Sequence, residues 1–441
     1  MMVPANRLLA VFSLSAVPCS LAWALLPVAA PFAVMIWGGL LALALVDARL
    51  AGKSLRGVGA EMPEEITLTH GREGECLLVL TGGSTGKKEV RVGLELPEQI
   101  HSSWDDFWTI LPEEGASRAI PWPVLPQRRG RFSVEKCHLQ IRSSLGFWHW
   151  QEVRHLKSEI KVYPNLFPEK KRLAALFLNR GSLGLHLHRQ VGKGREFEKL
   201  REYLPGDSLN DIHWRGTAKR GHLVTKQYQI ERTQEIYVVI DSSRLNARDS
   251  GNGQSMLERY ITAALMLNLV ARQQGDLFGL AAFSDRVHQF VTARSGLEHF
   301  RTCQDALINL QARSHNPDYG ELAGFLSLRL RRRALLLFLT CLDEPALAER
   351  FEKEMALVSR RHLLLVNMIK PSAATPLFST DDVDSSEGVC RHLAGHLVWQ
   401  SLRELGRNLK MQGVDFHLLD EERLSTDLVS QYINVKRRQL L

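Results

Sequence analysis

Apolar and polar positions follow three different rhythms along this chain. Residues 8–26 and 28–46 are each nineteen positions long without one charged side chain. At helical rise each run reaches about 28 Å, close to the roughly 30 Å hydrocarbon core of a bilayer. Pro27 separates the runs and Pro31 follows four residues later, which favours a tight break there. Arg7 precedes the first run, Arg49, Lys53 and Arg56 follow the second, and the turn between them is uncharged. The positive-inside bias then puts both ends in the cytoplasm and the turn outside. Residues 1–50 therefore predict a two-helix transmembrane hairpin, with everything after it cytoplasmic. A cleaved signal peptide, with Arg7 at its start and Ala22-Trp23-Ala24 as its cleavage site, is the competing reading. The second apolar run immediately after it argues against that reading.

From residue 61 the rhythm shortens. Runs at 66–69, 76–80, 90–96, 132–141 and 160–163 are separated by clusters such as Gly82-Gly83-Ser84 and Pro121-Trp122-Pro123. Val90, Val92 and Leu94 alternate with charged or small residues, as half-buried strands do. Residues 61–165 are expected to form a small all-β, sandwich-like domain. Trp104, Trp108, Trp122, Trp148 and Trp150 are read as core and edge filling in preference to an aromatic platform.

After a linking segment at 166–234, residues 235–441 alternate between strand and helix. Fully apolar runs at 236–240 and 334–339 suit strands covered on both faces, and 278–283, 287–291, 363–369 and 416–419 add four more. Ser255 and Glu258 form a capping box, followed by Leu257, Ile261, Leu265 and Leu269 on one helical face. Further helices are expected at 297–310, 346–360, within 386–411 and from 424. This alternation predicts a Rossmann-like, doubly wound α/β domain.

Composition narrows the chemistry. A chain of 441 residues with 45% hydrophobic and 24% charged residues should fold as several globular units. The net charge of +8 is spread out, and its densest run, Arg329, Arg331, Arg332 and Arg333, flanks a strand. That pattern suits a solvated or membrane-facing surface more than nucleic acid. Six scattered cysteines without a C-x-x-C pair argue against a zinc module or a disulfide framework. The G-x-S-x-G string at Gly82–Gly86 lies among the short β runs and not at a strand-to-helix elbow, and no H-E-x-x-H and no H-x-E with C-x-x-C occurs. Neither Gly86-Lys87 nor Gly192-Lys193 is followed by Ser or Thr, and Gly52-Lys53-Ser54 has Asp47 where the first glycine of the motif belongs, so there is no Walker loop. The expectation is a protein without catalysis of its own, although missing motifs do not exclude a novel site.

Two segments carry the candidate site residues. Asp241-Ser242-Ser243 follows the first buried strand, at the carboxyl edge where ligands of such sheets gather. A carboxylate and a hydroxyl on one side of a turn suit a hard cation such as Mg²⁺. Alternatively, Asp241 simply accepts loop N–H groups. In the linking segment Pro205-Gly206 suits a type II turn, Asp207 can cap the next turn, and Trp214 is expected to bury against a neighbouring sheet. Arg201, Arg215, Lys219 and Arg220 cluster there, and are read as pairing with Glu202, Asp207 and Asp211 in interdomain packing in preference to a ligand or nucleic-acid site.

Arg201, Tyr203, Gly206, Asp207, Ile212, Trp214, Ala218 and Lys219 resemble the hallmark of the bacterial family catalogued as "domain of unknown function 58". Arg129-Gly130-Arg131-Phe132, Ser144-Leu145-Gly146-Phe147 and Val162-Tyr163-Pro164 resemble further motifs of that family, and the paired apolar runs match its layout. The resemblance covers most of the chain. It implies a von Willebrand factor A-like α/β domain, an inner-membrane location, and a MoxR-type AAA+ ATPase as partner, with the chain as adaptor and the ATPase supplying any hydrolysis. The hallmark residues would then be structural or partner-binding. A complete adhesion-type metal site would offer Asp-x-Ser-x-Ser, a distant Thr and a further Asp. Asp241 and Ser243 match the first two positions, but Leu245 replaces the second Ser and Cys341 stands in the acid position, with Asp343 two residues on. No Thr occurs around Pro317-Asp318-Tyr319. Leucine offers no oxygen and a thiol suits Mg²⁺ poorly, so the expectation is a recognition surface without its ion and no cofactor.

Overall fold

The computed structural model describes residues 1–25, 30–51, 57–82, 89–113, 115–179, 191–205, 208–229, 234–248, 254–377, 386–438 and 440. The chain divides into two units, Met1–Asn165 and Leu166–Leu441.

The first unit opens with strand β1 (Met2–Pro4) and helices α1 (Asn6–Leu25) and α2 (Ala30–Ala51). Apolar side chains run right round both helices, and Leu14, Val17, Leu21, Phe32, Met35 and Ile36 are exposed. Among the described residues, no helix is long and apolar enough to cross a membrane. The expected break at Pro27 lies outside the described residues. Strands β2 (Gly59–Glu61), β3 (Glu65–Thr69), β4 (Gly74–Thr81), β5 (Glu89–Leu94), β6 (Ile100–His101), β7 (Phe107–Ile110), β8 (Ser117–Pro126), β9 (Gly130–Arg142) and β10 (Trp148–Tyr163) follow. One sheet runs β1-β10-β9-β5-β7 with β3 parallel to β10, and the other runs β2-β4-β8-β6. Leu78, Leu80, Val90, Val92, Ile120, Trp122, Leu139 and Ile160 from both sheets share one core, the arrangement of a sandwich. The base of the hairpin is bound to this sandwich. Trp148 Nε1 donates to the Ala44 carbonyl at 2.8 Å, and the Leu145 N–H donates to buried Asp47 at 3.0 Å.

Pro121-Trp122-Pro123, expected to separate strands, lies inside β8, and that expectation is corrected. Ile120, Trp122 and Val124 point into the core while Pro121 and Pro123 alternate outward. Prolines two apart aim their missing donors toward the same side. Here that side is the sheet edge beyond the short β6, where no ladder bond is lost.

In the second unit, helix α3 (Phe167–Asn179) precedes a two-stranded ribbon, β11 (Val191–Glu202) and β12 (Val224–Gln229), with the short helix α4 (Trp214–Arg220) between its strands. Strand β13 (Glu235–Asp241) then leads through α5 (Met256–Gln273), β14 (Leu277–Phe283), β15 (Val287–Arg294), α6 (Leu297–Ile308), α7 (Tyr319–Arg329), β16 (Leu335–Leu339), α8 (Pro345–Ser359), β17 (Leu363–Ile369), α9 (Ser386–Met411), β18 (Val414–Leu419) and α10 (Leu424–Arg438). The sheet runs β15-β14-β13-β16-β17-β18, with β15 antiparallel and the other pairs parallel. Numbered within the sheet this is the doubly wound order 3-2-1-4-5-6.

Residue alternation along β13 builds the layers. Ile236, Val238 and Ile240 join one core with α3, α5, α6 and α10, while Tyr237 and Val239 join the other with α7, α8 and α9. Ser255 accepts from the Glu258 N–H at the start of α5, as the capping box predicts. Helix α7 was not expected. Its signal is Asp318, whose carboxylate accepts from the Gly320 and Glu321 N–H groups.

Candidate functional site at the carboxyl edge of the sheet

Asp241 ends β13 and is completely buried. Its Oδ1 accepts from the Ser243 N–H at 2.8 Å and its Oδ2 from the Thr340 hydroxyl at 2.7 Å. Asn246 Nδ2 donates to the Asp241 carbonyl at 2.9 Å. Tyr260 donates to the Thr340 carbonyl at 3.1 Å and accepts from the Ile369 N–H at 3.2 Å, joining the ends of β16 and β17. Burial pushes the Asp241 carboxyl above its ordinary value, against the hydrogen bonds from Thr340 and Ser243. Over this buried layer the loops close with ion pairs. Arg244 forks onto Glu344 at 2.9 and 3.1 Å, and Arg248 pairs with Asp343 and lies 3.5 Å from Glu344.

The ribbon residues form a separate small module. Ile212 and Val224 are buried inside it, the His213 N–H donates to the Val224 carbonyl at 2.8 Å, and the Val224 N–H donates to Thr217 Oγ1 at 3.1 Å. His213 caps α4, its Nδ1 accepting from the Gly216 N–H at 2.9 Å. A Cβ on Gly216 would lie 2.6 Å from that same nitrogen, so the capped turn demands glycine. Arg201 and Tyr203 stand at the end of β11, and Ala218 and Lys219 are exposed on α4. Gly206 and Asp207 lie outside the described residues. One expectation is corrected here. Trp214 does not bury against a sheet but is 67% exposed, because Ile212 already fills the interior. Of the acids expected to pair with the cations, Asp207 lies outside the described residues. Glu202 faces His222 at 3.7 Å, and Arg215, Lys219 and Arg220 make no ion pair with a described residue.

The family model described as "Protein of unknown function DUF58" matches residues 199–377, from the ribbon into the α/β domain. This segment matches DUF58. No curated protein matches the chain in sequence. Among solved structures, an aerotolerance-related membrane protein from Bacteroides fragilis is 14% identical, with 46% of this chain and 98% of that one covered at a TM-score of 0.30. BatB from Bacteroides thetaiotaomicron is 14% identical over 46% of this chain and 99% of its own, at a TM-score of 0.31. The SpRpn10 VWA domain is 12% identical over 45% and 95%, at a TM-score of 0.28. Strand order, not these superpositions, carries the fold assignment.

The DUF58 segment does not fit a hard cation at Asp241. Both carboxylate oxygens already accept hydrogen bonds, and Leu245 packs into the apolar core. The Cys341 thiol is pushed far above its ordinary value by burial, then by the neighbouring Asp343 charge, and donates to Asp343 at 3.2 Å. Asp343 in turn is held by Arg248, whose guanidinium supplies positive charge from within the chain. Ser243 Oγ is buried without a hydrogen-bond partner among the described residues. Mg²⁺ is usually held by one or two carboxylates with waters completing its shell, and here the carboxylates are engaged and only this hydroxyl is left.

Sequence reasoning missed a second polar cluster in the DUF58 segment. Buried Ser284, just past β14, donates to Asp285 at 2.6 Å and lies 2.7 Å from His288 Nε2. The types match a hydrolytic triad but the geometry does not. A hydroxyl has one proton, and here it goes to the carboxylate, so His288 Nε2 must donate to Ser284 and is no base toward it. Asp285 also approaches that same Nε2, at 3.3 Å, where an orienting acid would take Nδ1. The only trace in the sequence was a Ser-Asp pair after a strand.

Proposed function

We propose that this chain is a non-catalytic, membrane-anchored adaptor whose α/β domain binds a partner protein at the cytoplasmic face, the family resemblance pointing to a MoxR-type AAA+ ATPase. One observation carries this reading. The carboxyl edge of the sheet, where a doubly wound fold would hold a ligand, is closed by the chain's own groups. Asp241 is tied to Thr340 beneath, and Arg244 and Arg248 are tied to Glu344 and Asp343 above. What this edge offers is a charged rim, suited to a macromolecular surface and lacking an activated nucleophile.

The hairpin supports the anchor. Exposed leucine, phenylalanine or isoleucine side chains each forgo about 1.5–3 kcal/mol relative to burial, and α1 and α2 expose many of them together. Insertion in a bilayer as two spans removes that cost. On this reading Arg7 and Arg49, at the ends of the hairpin, favour both termini and both folded units on the cytoplasmic side of the inner membrane. Nucleic acid is not part of this reading.

The test is extraction of the endogenous protein in mild detergent, with and without nucleotide, and mass spectrometry of what accompanies it. An AAA+ ATPase should co-purify, and its absence at endogenous expression would sink the partner assignment. Protease shaving of intact cells should leave the α/β domain uncut, and digestion from outside would overturn the topology.

A further inference from the structure

The ribbon module exposes more apolar surface than a small water-facing element has reason to. Leu204 is 58% exposed, Leu209 69%, Trp214 67% and Leu223 44%, while Ile212 and Val224 fill the interior. Its own fold therefore does not need those four side chains inside. The same surface is positively charged. Residues 201–226 hold Arg201, Arg215, Lys219, Arg220 and Lys226 against Glu202, Asp207 and Asp211, and the cations of 215–226 face no acid within that stretch. On α4, Trp214 and Ala218 form one row along the helix and Arg215 and Lys219 the adjoining row, each spaced by four residues. Lys219 and Arg220 also complement the carboxyl end of α4. Arg215, near its start, gains nothing there.

An exposed indole and leucines interleaved with cations form the chemistry of a membrane interface. The ring settles at headgroup level, the leucines reach the acyl boundary, and the cations meet lipid phosphates. A nucleic-acid surface would favour aromatic faces for stacking, and three of these four side chains have no π-face. An anionic leaflet supplies both the apolar boundary and the complementary charge.

We propose that the ribbon module is a second, interfacial membrane contact, docking on anionic lipid headgroups through Trp214, Leu209, Arg215, Lys219 and Arg220. This rests on the reading of the hairpin as a bilayer anchor, which brings the module's surroundings within reach of lipid.

The full chain is reconstituted into nanodiscs of phosphatidylcholine alone, or of phosphatidylcholine with phosphatidylglycerol, and amide exchange is followed over 208–226. A several-fold slowing is expected only in the phosphatidylglycerol discs, reversed by high salt and absent in the Arg215→Gln, Lys219→Gln, Arg220→Gln triple variant. Unchanged exchange of the Val224 amide between wild type and variant in detergent establishes that the variant still folds. Equal exchange in the two kinds of disc, fast or slow, overturns the proposal. Slow exchange in both would assign the surface to protein contact. If the chain enters neither disc, the hairpin reading fails separately, and flotation with phosphatidylglycerol vesicles decides the docking. Salt-sensitive flotation lost in the triple variant supports it, and no flotation overturns it.

Discussion

The Thr340 hydroxyl donates to the Asp241 carboxylate at 2.7 Å across two adjacent strand ends, 99 residues apart in the chain. Pairing of Ile240 with Leu339 in the parallel ladder between β13 and β16 puts them there. Thr340→Val keeps the shape and removes the donor. The buried carboxylate is then left short of one partner, and the α/β domain should lose about 1.5–3 kcal/mol at neutral pH. The sign with pH follows from the raised pKa. The folded state holds the Asp241 proton more tightly than the unfolded state, so stability falls as pH rises from the ordinary value of 3.8. The deficit of the variant should therefore shrink toward acid, where Asp241 is neutral. Urea midpoints across acid and neutral pH check this, and a pH-independent deficit would contradict it.

Gly216→Ala should disturb the ribbon module and little else. The added methyl would meet His213 Nδ1 at 2.6 Å and Leu200 at 3.4 Å, so the cap on α4 has to give way. Faster amide exchange over 208–226 is expected, with exchange in β13 and β16 unchanged. A global fall in stability would show that the module and the α/β core unfold together.

Divalent metal should leave the wild-type unfolding midpoint where it is, because Asp241 and Asp343 are already occupied by Thr340, Ser243 and Arg248. The double substitution Leu245→Ser, Cys341→Asp supplies two oxygen ligands in place of a leucine and a thiol. Comparison of each protein with and without Mg²⁺ removes the effect of lost apolar packing. Binding by the variant would add about 2.7 kcal/mol at a hundredfold excess over Kd. A wild-type midpoint that rises with Mg²⁺ would refute this account of the site.

His362 predicts a second pH effect. It is buried, its Nδ1 accepts from the Ala334 N–H at 3.3 Å, and burial, then Arg361 and Arg333, hold it below its ordinary value of 6.5. The unfolded chain binds this proton more readily than the folded one, so stability is lost as pH falls through about 6.5. His362→Asn keeps an acceptor for the Ala334 amide and removes the titration. Its stability profile should be flatter than the wild type's between neutral and mildly acidic pH, which denaturant midpoints at fixed salt would reveal.

The sequence by itself determined what depends on near neighbours. Apolar runs of strand length at 236–240 and 334–339, the Ser255 cap of α5, the apolar stripe from Leu257 to Leu269 and the two long apolar helices are all legible there. Each is governed by contacts between residues a few positions apart. The position of Asp241 at a strand end was equally legible. Only the tertiary structure decided what Asp241 meets, since Thr340, Arg248, Asp343 and Tyr260 converge through sheet register and loop closure. Hydrogen bonds and ion pairs act over a few ångströms in space, and no local periodicity carries that distance. The same reason explains the two misread segments. Pro121 and Pro123 are tolerated in β8 because its outer side is a sheet edge, and Trp214 stays exposed because Ile212 took the interior position first.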